Sequence, residues 1–258
     1  MSQELKIALI QSPLEWENPE GNRRFFSNKI DTISDNVDVI VLPEMFTTGF
    51  TMNPQNIDSL EGTKTLEWMQ QLADKKNLAL VGSIVFNEGN QYYNRLYFVA
   101  PKTTPWSYDK RHTFTLAGED KIYTAGTSKL IVDYKGFKIC PLICYDLRFP
   151  VWARNDDGYD ILLYVANWPK LRINAWDALL KARAIENMAY AIGVNRVGKD
   201  INGYEYNGHS SVYNALGEQL VFSEKEEILY TTLYKDHITT TRNKLKFLDD
   251  RDMFTLLT

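Results

Sequence analysis

The chain has 258 residues, of which 44% are hydrophobic and 24% are charged, and its formal net charge is −4. These values are typical of a globular protein with a sizeable core, and the acidic balance argues against a protein that binds nucleic acid or an anionic membrane surface. The longest apolar runs fall far short of the roughly 20 residues that a membrane-spanning helix needs, so no transmembrane segment is predicted.

The amino-terminal residues enter a strand-like stretch directly. Met1 to Lys6 lack the apolar segment and the small-residue cleavage site of a secretory signal, so we expect a cytoplasmic protein. No linker-like, low-complexity or repeated segment interrupts the chain. The sequence therefore predicts a single domain over residues 1–258, in which 236–258 form a last charged helix and a tail.

Short runs of β-branched and aliphatic residues recur along the chain and predict ten strands. Several runs are apolar at consecutive positions, which is typical of strands that are covered on both faces. The predicted strands are 5–11, 37–42, 78–86, 92–100, 130–134, 137–143, 159–167, 189–197, 210–214 and 228–234.

Three segments between these strands have helical periodicity. Asn18 followed by Pro19 has the features of an N-cap and a first helical turn. The segments 63–76 and 174–188 repeat apolar residues at helical spacing, and the second of them has Ile185 on its apolar face. Helices of this length alternating with strands predict an α/β layered fold.

Three reactive side chains stand close to the predicted strands. Glu44 follows the run 37–42, and taken alone such a carboxylate is more often a cap or a loop residue. Lys110 lies in a polar run, where a surface charge is the simpler interpretation. Cys144 stands where a strand stops and a helix-starting stretch begins, a position at which backbone N–H groups can stabilise a thiolate or an oxyanion. A buried structural thiol is the alternative for Cys144, and it is the favoured interpretation for Cys140.

Cys140 and Cys144 are the two cysteines of the chain. In an extended strand four residues span about 13 Å, whereas a disulfide requires Cα atoms within roughly 7 Å of each other. We therefore expect two free thiols.

Taken together, the reactive segments resemble the nitrilase superfamily, the family of carbon–nitrogen hydrolases. Glu44, Lys110 and Cys144 occur in the chain order of that family's Glu-Lys-Cys triad, and the residues around each of them match as well. The resemblance extends over nearly the whole chain. The matching segments are 7–11, 42–46, 94–95, 108–112, 142–150, 164–169, 182–187 and 208–211.

The resemblance implies an α/β fold of a particular kind, a four-layer αββα sandwich. Such domains commonly pair into homodimers through one helical layer, so we expect a homodimer to which 174–188 and the carboxy-terminal tail contribute. The tail is apolar at Phe247, Phe254, Leu256 and Leu257. It docks either onto its own chain or onto a partner.

The resemblance also implies how the three residues act on an amide. Cys144 would attack the carbonyl carbon and carry a thioester. Glu44, in a partly desolvated pocket, would take the thiol proton and return it to the leaving nitrogen. The ammonium of Lys110 and the backbone N–H of Tyr145 would both donate to the oxyanion.

Three further residues complete the predicted site. Glu119 matches a second glutamate that many family members carry after the lysine, with the adjacent Asp120 as the alternative. Arg148, four residues beyond the nucleophile, would bind a substrate carboxylate through a bidentate contact or form an internal salt bridge. Trp168 follows a strand end and would either wall the pocket or belong to the core.

Within the family, the segments 43–50 and 144–152 are most similar to those of the bacterial omega-amidases. That subgroup implies hydrolysis of the terminal amide of a small 2-oxo dicarboxylic acid monoamide, such as 2-oxoglutaramate or 2-oxosuccinamate, to ammonia and the acid. A nitrile, an N-carbamoyl amino acid, a deaminated peptide or an acyl-transfer donor remains open as substrate. A non-catalytic binding protein on the same fold is a further alternative, against which the intact Glu44, Lys110 and Cys144 argue.

Other cysteine and metal chemistries lack support in the sequence. A papain-like enzyme would need a histidine near Cys144, and no local signature around His112, His209 or His237 indicates one. Three scattered histidines without a Cys-x-x-Cys pair give no ligand cluster for zinc. We therefore expect neither a metal nor a cofactor, and a small-molecule amide as the ligand.

Overall fold

Two six-stranded mixed sheets form the centre of the molecule. The computed structural model describes residues 3–34 and 36–256. The first sheet contains β1 (Glu4–Gln11), β2 (Val39–Val41), β3 (Ala79–Glu88), β4 (Gln91–Val99), β5 (Trp106–Asp109) and β14 (Glu227–Tyr234). The second sheet contains β6 (Val132–Tyr134), β7 (Phe137–Ile143), β8 (Ile161–Val165), β9 (Tyr190–Val194), β12 (Ser210–Tyr213) and β13 (Gln219–Ser223). A separate hairpin is formed by β10 (Val197–Lys199) and β11 (Glu205–Asn207).

Each large sheet has three parallel strands flanked by antiparallel ones. The strand order is β14-β1-β2-β3-β4-β5 in the first sheet and β13-β12-β9-β8-β7-β6 in the second. The parallel trio is β1, β2 and β3 in the first sheet and β7, β8 and β9 in the second. Parallel neighbours need a crossover connection, and helices supply most of these.

Four α-helices accompany the sheets. They are α1 (Pro19–Asp31), α2 (Glu61–Lys76), α3 (Ile173–Asn187) and α4 (Lys235–Leu245). The predicted start of α1 is confirmed, because the Asn18 side chain accepts a hydrogen bond from the Gly21 N–H at 3.0 Å and Pro19 occupies the first turn.

The side chains of the central strands alternate between two apolar clusters. Val39 and Val41 of β2 lie in the cluster between the sheets, whereas Ile40 packs with the apolar faces of α1 and α2. On the other side, Trp176 and Leu180 of α3 pack against the second sheet. The layers are therefore helix, sheet, sheet and helix, and the predicted αββα sandwich is confirmed.

Some element predictions were wrong in detail. The segment 106–112 was interpreted as a polar run, but its first four residues form the short edge strand β5, in which apolar and polar residues alternate. The strands β10, β11 and β13 were also missed. Ile185 was predicted on the buried face of its helix but is 47% exposed, because α3 turns Trp176 and Leu180 toward the sheet.

The carboxy-terminal segment begins as predicted with a helix, α4, which buries Ile238. The tail after it has no regular secondary structure in the described part. Phe247, Phe254 and Leu256 are 60%, 41% and 42% exposed, and Leu257 lies outside the described residues. Within 3–34 and 36–256, no helix is long and apolar enough to cross a membrane.

Candidate active site

Four strand ends bring the polar side chains of the site together. Lys110 and Cys144 directly follow β5 and β7, and Glu44 and Asn167 follow β2 and β8 within three residues. In layered α/β folds, the carboxyl ends of strands are where sites form, because the chain leaves the sheet there. The two sheets thus contribute to one cluster, which joins residues up to 123 positions apart along the chain.

Glu44 is completely buried and hydrogen-bonded at both oxygens. Its Oε1 accepts from Lys110 Nζ at 2.9 Å and from Asn94 Nδ2 at 2.8 Å, and its Oε2 accepts from the Asn167 N–H at 2.8 Å. The Asn167 side chain also donates to the Glu44 carbonyl oxygen at 2.6 Å. Since a buried carboxylate is tolerated only when it is paired and hydrogen-bonded, these contacts fix its orientation.

Glu119 is the second carboxylate of the cluster. Its two oxygens accept from Lys110 Nζ at 3.0 and 2.9 Å, and Asn94 Nδ2 donates to it at 3.1 Å. The Phe114 N–H donates to Oε2 at 2.5 Å. Asp120, the alternative from the sequence, is exposed. Glu119 is therefore the carboxylate that the fold brings to Lys110.

The two carboxyl groups beside Lys110 keep its ammonium in the charged form. Burial by itself lowers the pKa of this ammonium, but the carboxylates of Glu119 and Glu44 outweigh burial and raise it well above the ordinary value. Burial raises the pKa of Glu119, with Lys110 opposing and Glu44 adding to the rise. Lys110 is therefore a permanent cation at neutral pH.

Cys144 lies at the mouth of this cluster with a backbone φ of +43°, which is rare for a residue with a side chain. Burial first, and then the neighbouring Glu44, raise the pKa of its thiol well above the ordinary value, although Lys110 opposes them. Glu44 and Glu119 already place two acidic groups against the ammonium of Lys110. A resting thiolate would add a further negative charge, so the thiol stays protonated until it reacts.

Asp146 fixes the turn that carries Cys144. Cys144 opens a 3₁₀ turn that ends at Arg148, and the buried Asp146 carboxylate accepts from the Ile143 N–H at 3.0 Å. It also accepts from the Tyr108 hydroxyl at 2.8 Å and from the His112 N–H at 2.9 Å. Sequence reasoning assigned no role to Asp146. Its signal was an acidic residue directly after an apolar strand and a cysteine.

Asn94 was also missed as a site residue, although the motif around it was noted. It is 1% exposed in β4 and donates to both Glu44 and Glu119. A buried amide in a strand must find partners, and the polar pair Asn94-Arg95 within an aromatic and aliphatic run was the available signal.

A cavity of about 380 Å³ opens above Cys144. Buried Glu44 and Lys110 line it beside the nucleophile, whereas Leu116 and Tyr204 at its rim are 78% and 50% exposed. The cavity therefore runs from solvent to the thiol. A small polar substrate can reach Cys144 without opening the core.

Arg148 and Trp168 both line this cavity. The Arg148 guanidinium lies 4.8 Å from the Trp168 ring centroid, and in the part of the chain that the structure describes it forms no salt bridge. Of the two predicted roles, the internal salt bridge is therefore not seen. Trp168 is only 3% exposed, packs against Trp176 and lines the cavity.

Two of the three histidines contact carboxylates that do not line the cavity. His112 contacts Asp146 through Nδ1 at 2.8 Å, and His209 contacts Asp177 at 2.9 Å. None of the described residues that line the cavity is a histidine. Over 3–34 and 36–256, no group of three or more His, Cys, Asp and Glu side chains is arranged to hold a metal ion. Both cysteines are free, as predicted.

Comparison with known proteins identifies relatives along almost the full length. The family model for carbon-nitrogen hydrolases matches residues 6–243. The chain is 43% identical over 255 residues to Omega-amidase YafV of Yersinia enterocolitica, covering 98% of this chain and 99% of that protein. It is 46% identical over 223 residues to Omega-amidase YafV of Escherichia coli K12, covering 86% of each. It is 33% identical to 2-oxoglutaramate amidase of Bacillus subtilis, covering 86% of this chain and 87% of that one.

Solved structures of similar proteins have the same fold. A CN-hydrolase superfamily protein from Xanthomonas campestris, with an arsenic adduct in its active site, superposes with a TM-score of 0.95. It is 36% identical, and the match covers 98% of this chain and 99% of that chain. Saccharomyces cerevisiae Nit3, of the nitrilase superfamily, matches with a TM-score of 0.82 at 23% identity, over 95% of each chain.

Proposed function

Because this chain belongs to the carbon–nitrogen hydrolase family, we propose that it is an omega-amidase whose nucleophile is Cys144. It hydrolyses the terminal amide of a small 2-oxo dicarboxylic acid monoamide, such as 2-oxoglutaramate or 2-oxosuccinamate, to ammonia and the acid. The observation that carries the proposal is the buried cluster of Glu44, Lys110 and Glu119 beside a cysteine at the end of an open cavity. Relatives named omega-amidase at more than 40% identity support the substrate class.

The first half of the reaction forms a thioester. As the Cys144 sulfur attacks the amide carbonyl carbon, Glu44 takes the thiol proton, so no free thiolate accumulates. The carbonyl oxygen becomes an oxyanion that accepts from Lys110 Nζ and the Tyr145 N–H. Each such donor typically contributes about 3–4 kcal/mol to lowering the barrier. Glu44 then passes the proton to the amide nitrogen, the carbon–nitrogen bond breaks and ammonia leaves.

The second half releases the acid. Water attacks the thioester carbon while Glu44 accepts a water proton, and the same two donors stabilise the second oxyanion. The carbon–sulfur bond then breaks, and the proton returns to the sulfur. Glu119 and Asn94 act as positioning residues, since their contacts hold the Lys110 ammonium and the Glu44 carboxylate in place.

The proposed activity predicts ammonia release from 2-oxosuccinamate by the purified protein. We expect kcat/KM in the ordinary enzymatic range of about 10⁴ M⁻¹s⁻¹ or more for a preferred substrate. A coupled ammonia assay measures it, with a nitrile, an N-carbamoyl amino acid and a plain amide as the competing classes. A higher kcat/KM for one of these classes would reassign the substrate. No ammonia from any of them would favour a non-catalytic binding protein.

We further propose that the chain forms one domain over 1–258, with 236–258 as its carboxy-terminal helix and tail, and acts in the cytoplasm as a homodimer. Two free cysteines support a reducing compartment. The exposed Ile185 on α3 and the exposed Phe247 and Phe254 support an interface at these elements. Sedimentation of the full chain is expected to give twice the monomer mass, and truncation after Leu245 is expected to weaken the dimer. A monomeric full chain would contradict the assembly.

A further inference from the structure

Two arginine side chains line the cavity without a carboxylate counter-ion. Arg148 lies over the ring of Trp168 and Arg172 over the ring of Phe114, with 4.8 and 5.2 Å between guanidinium carbon and ring centroid. Across the described ranges, no carboxylate oxygen lies within 4.0 Å of a nitrogen of either guanidinium. Both arginines are half-buried, and their free N–H donors beside the cavity suit an anionic ligand.

Trp168 contacts both arginines. Its ring lies under the Arg148 guanidinium, and its Nε1–H donates to the carbonyl oxygen of Arg172 at 2.8 Å. A guanidinium that stacks on a ring uses its face for that contact, so its N–H groups remain free at the edge. Two donor forks are therefore available in one cavity.

The acidic groups that line the same cavity are already engaged. Asp200 accepts from the N–H groups of Asn202 and Tyr204 and from the Tyr206 hydroxyl, each at 2.9 Å. Glu44 belongs to the buried cluster next to the nucleophile. The charged groups of the cavity that are free to bind a ligand are therefore the guanidinium groups of Arg148 and Arg172, which only donate.

We propose that Arg172 is the second arm of a clamp, with Arg148 as the first, that selects 2-oxo acid amides over 2-amino acid amides. This inference rests on the proposed function. The carboxylate and the keto oxygen of a 2-oxo acid only accept hydrogen bonds, which suits two guanidinium forks. In asparagine an ammonium replaces the keto oxygen. That ammonium only donates, so the two guanidinium groups offer it no acceptor and repel it.

The test compares kcat/KM of the wild type, Arg172→Gln and Arg172→Lys on three primary amides of four carbons. These are 2-oxosuccinamate, asparagine and the neutral butanamide. For Arg172→Gln we expect a fall of about 10- to 100-fold on 2-oxosuccinamate, mainly through KM, and a change of less than about threefold on butanamide. The preference for 2-oxosuccinamate over asparagine falls at least about tenfold. Arg172→Lys keeps the charge without the guanidinium fork, so its kcat/KM on 2-oxosuccinamate is expected to lie between those of the wild type and Arg172→Gln.

The matched control is Arg24→Gln, which removes the same charge from an exposed position of α1 and is expected to leave all three values unchanged. An equal loss on butanamide and 2-oxosuccinamate would assign Arg172 a structural role and overturn the inference, as would an unchanged preference over asparagine. Failure of the proposed function gives a different result, because the wild type itself would then release no ammonia from 2-oxosuccinamate.

Discussion

Cys144→Ala is expected to abolish turnover of 2-oxosuccinamate, with a loss in kcat on the order of 10⁴-fold or more. Removal of the sulfur leaves the buried charge cluster and the cavity in place, but no atom remains that can form the thioester. Rapid-quench mass spectrometry of the wild type is expected to show a transient acyl adduct on the peptide that contains Cys144. The alanine variant is expected to show none.

Cys140→Ala is the matched control for this result. Cys140 is a completely buried free thiol in β7, four residues before the nucleophile and outside the cavity lining. We expect this variant to keep both the adduct and most of the activity after a modest loss of stability from the smaller side chain. An adduct that persists in Cys144→Ala and disappears in Cys140→Ala would refute the assignment of the nucleophile.

Glu44→Gln is expected to lower kcat by about 10²- to 10⁴-fold, the range that a general acid–base group contributes. Glutamine keeps the shape of the side chain and one acceptor oxygen for Lys110, but it cannot take the thiol proton or return it to the leaving nitrogen. Ammonia release measures the loss. Circular dichroism and the thermal midpoint establish that the variant is folded, since the new amide donates toward groups that themselves donate.

His209→Asn distinguishes this mechanism from a cysteine–histidine one. His209 contacts Asp177 and is absent from the described cavity lining, so at least partial activity is expected to survive its replacement. Loss of activity in His209→Asn with retention in Glu44→Gln would remove Glu44 from the role of base.

The elements with strong local signals were predictable from the sequence. The strand β7 was predicted with its observed bounds, because its apolar run is sharply delimited, and the Asn18 cap identified the start of α1. The strand β2 is shorter than its apolar run, since only Val39–Val41 pair with both neighbours. The edge strand β5 carries polar residues on its open side and therefore resembled a loop.

The candidate site residues that lie within recognisable sequence motifs were predictable. Glu44, Lys110 and Cys144 could be found because each is surrounded by a matching segment. Their supporting residues Asn94 and Asp146 act only through contacts that arise when the two sheets stack. The order of strands in a sheet decides those contacts, and periodicity carries no information about that order.

The unequal number of carboxylates and ammonium groups beside Cys144 has a consequence for product release. Hydrolysis converts a neutral amide into a new carboxylate at the sulfur, next to Glu44 and Glu119, with Lys110 as the one ammonium in that cluster. Like charges repel each other, so Glu44 and Glu119 oppose the new carboxylate, whereas the amide group that it replaces carries no charge and meets no such opposition. The same pair of carboxyl groups that keeps the thiol protonated therefore also favours release of the acid.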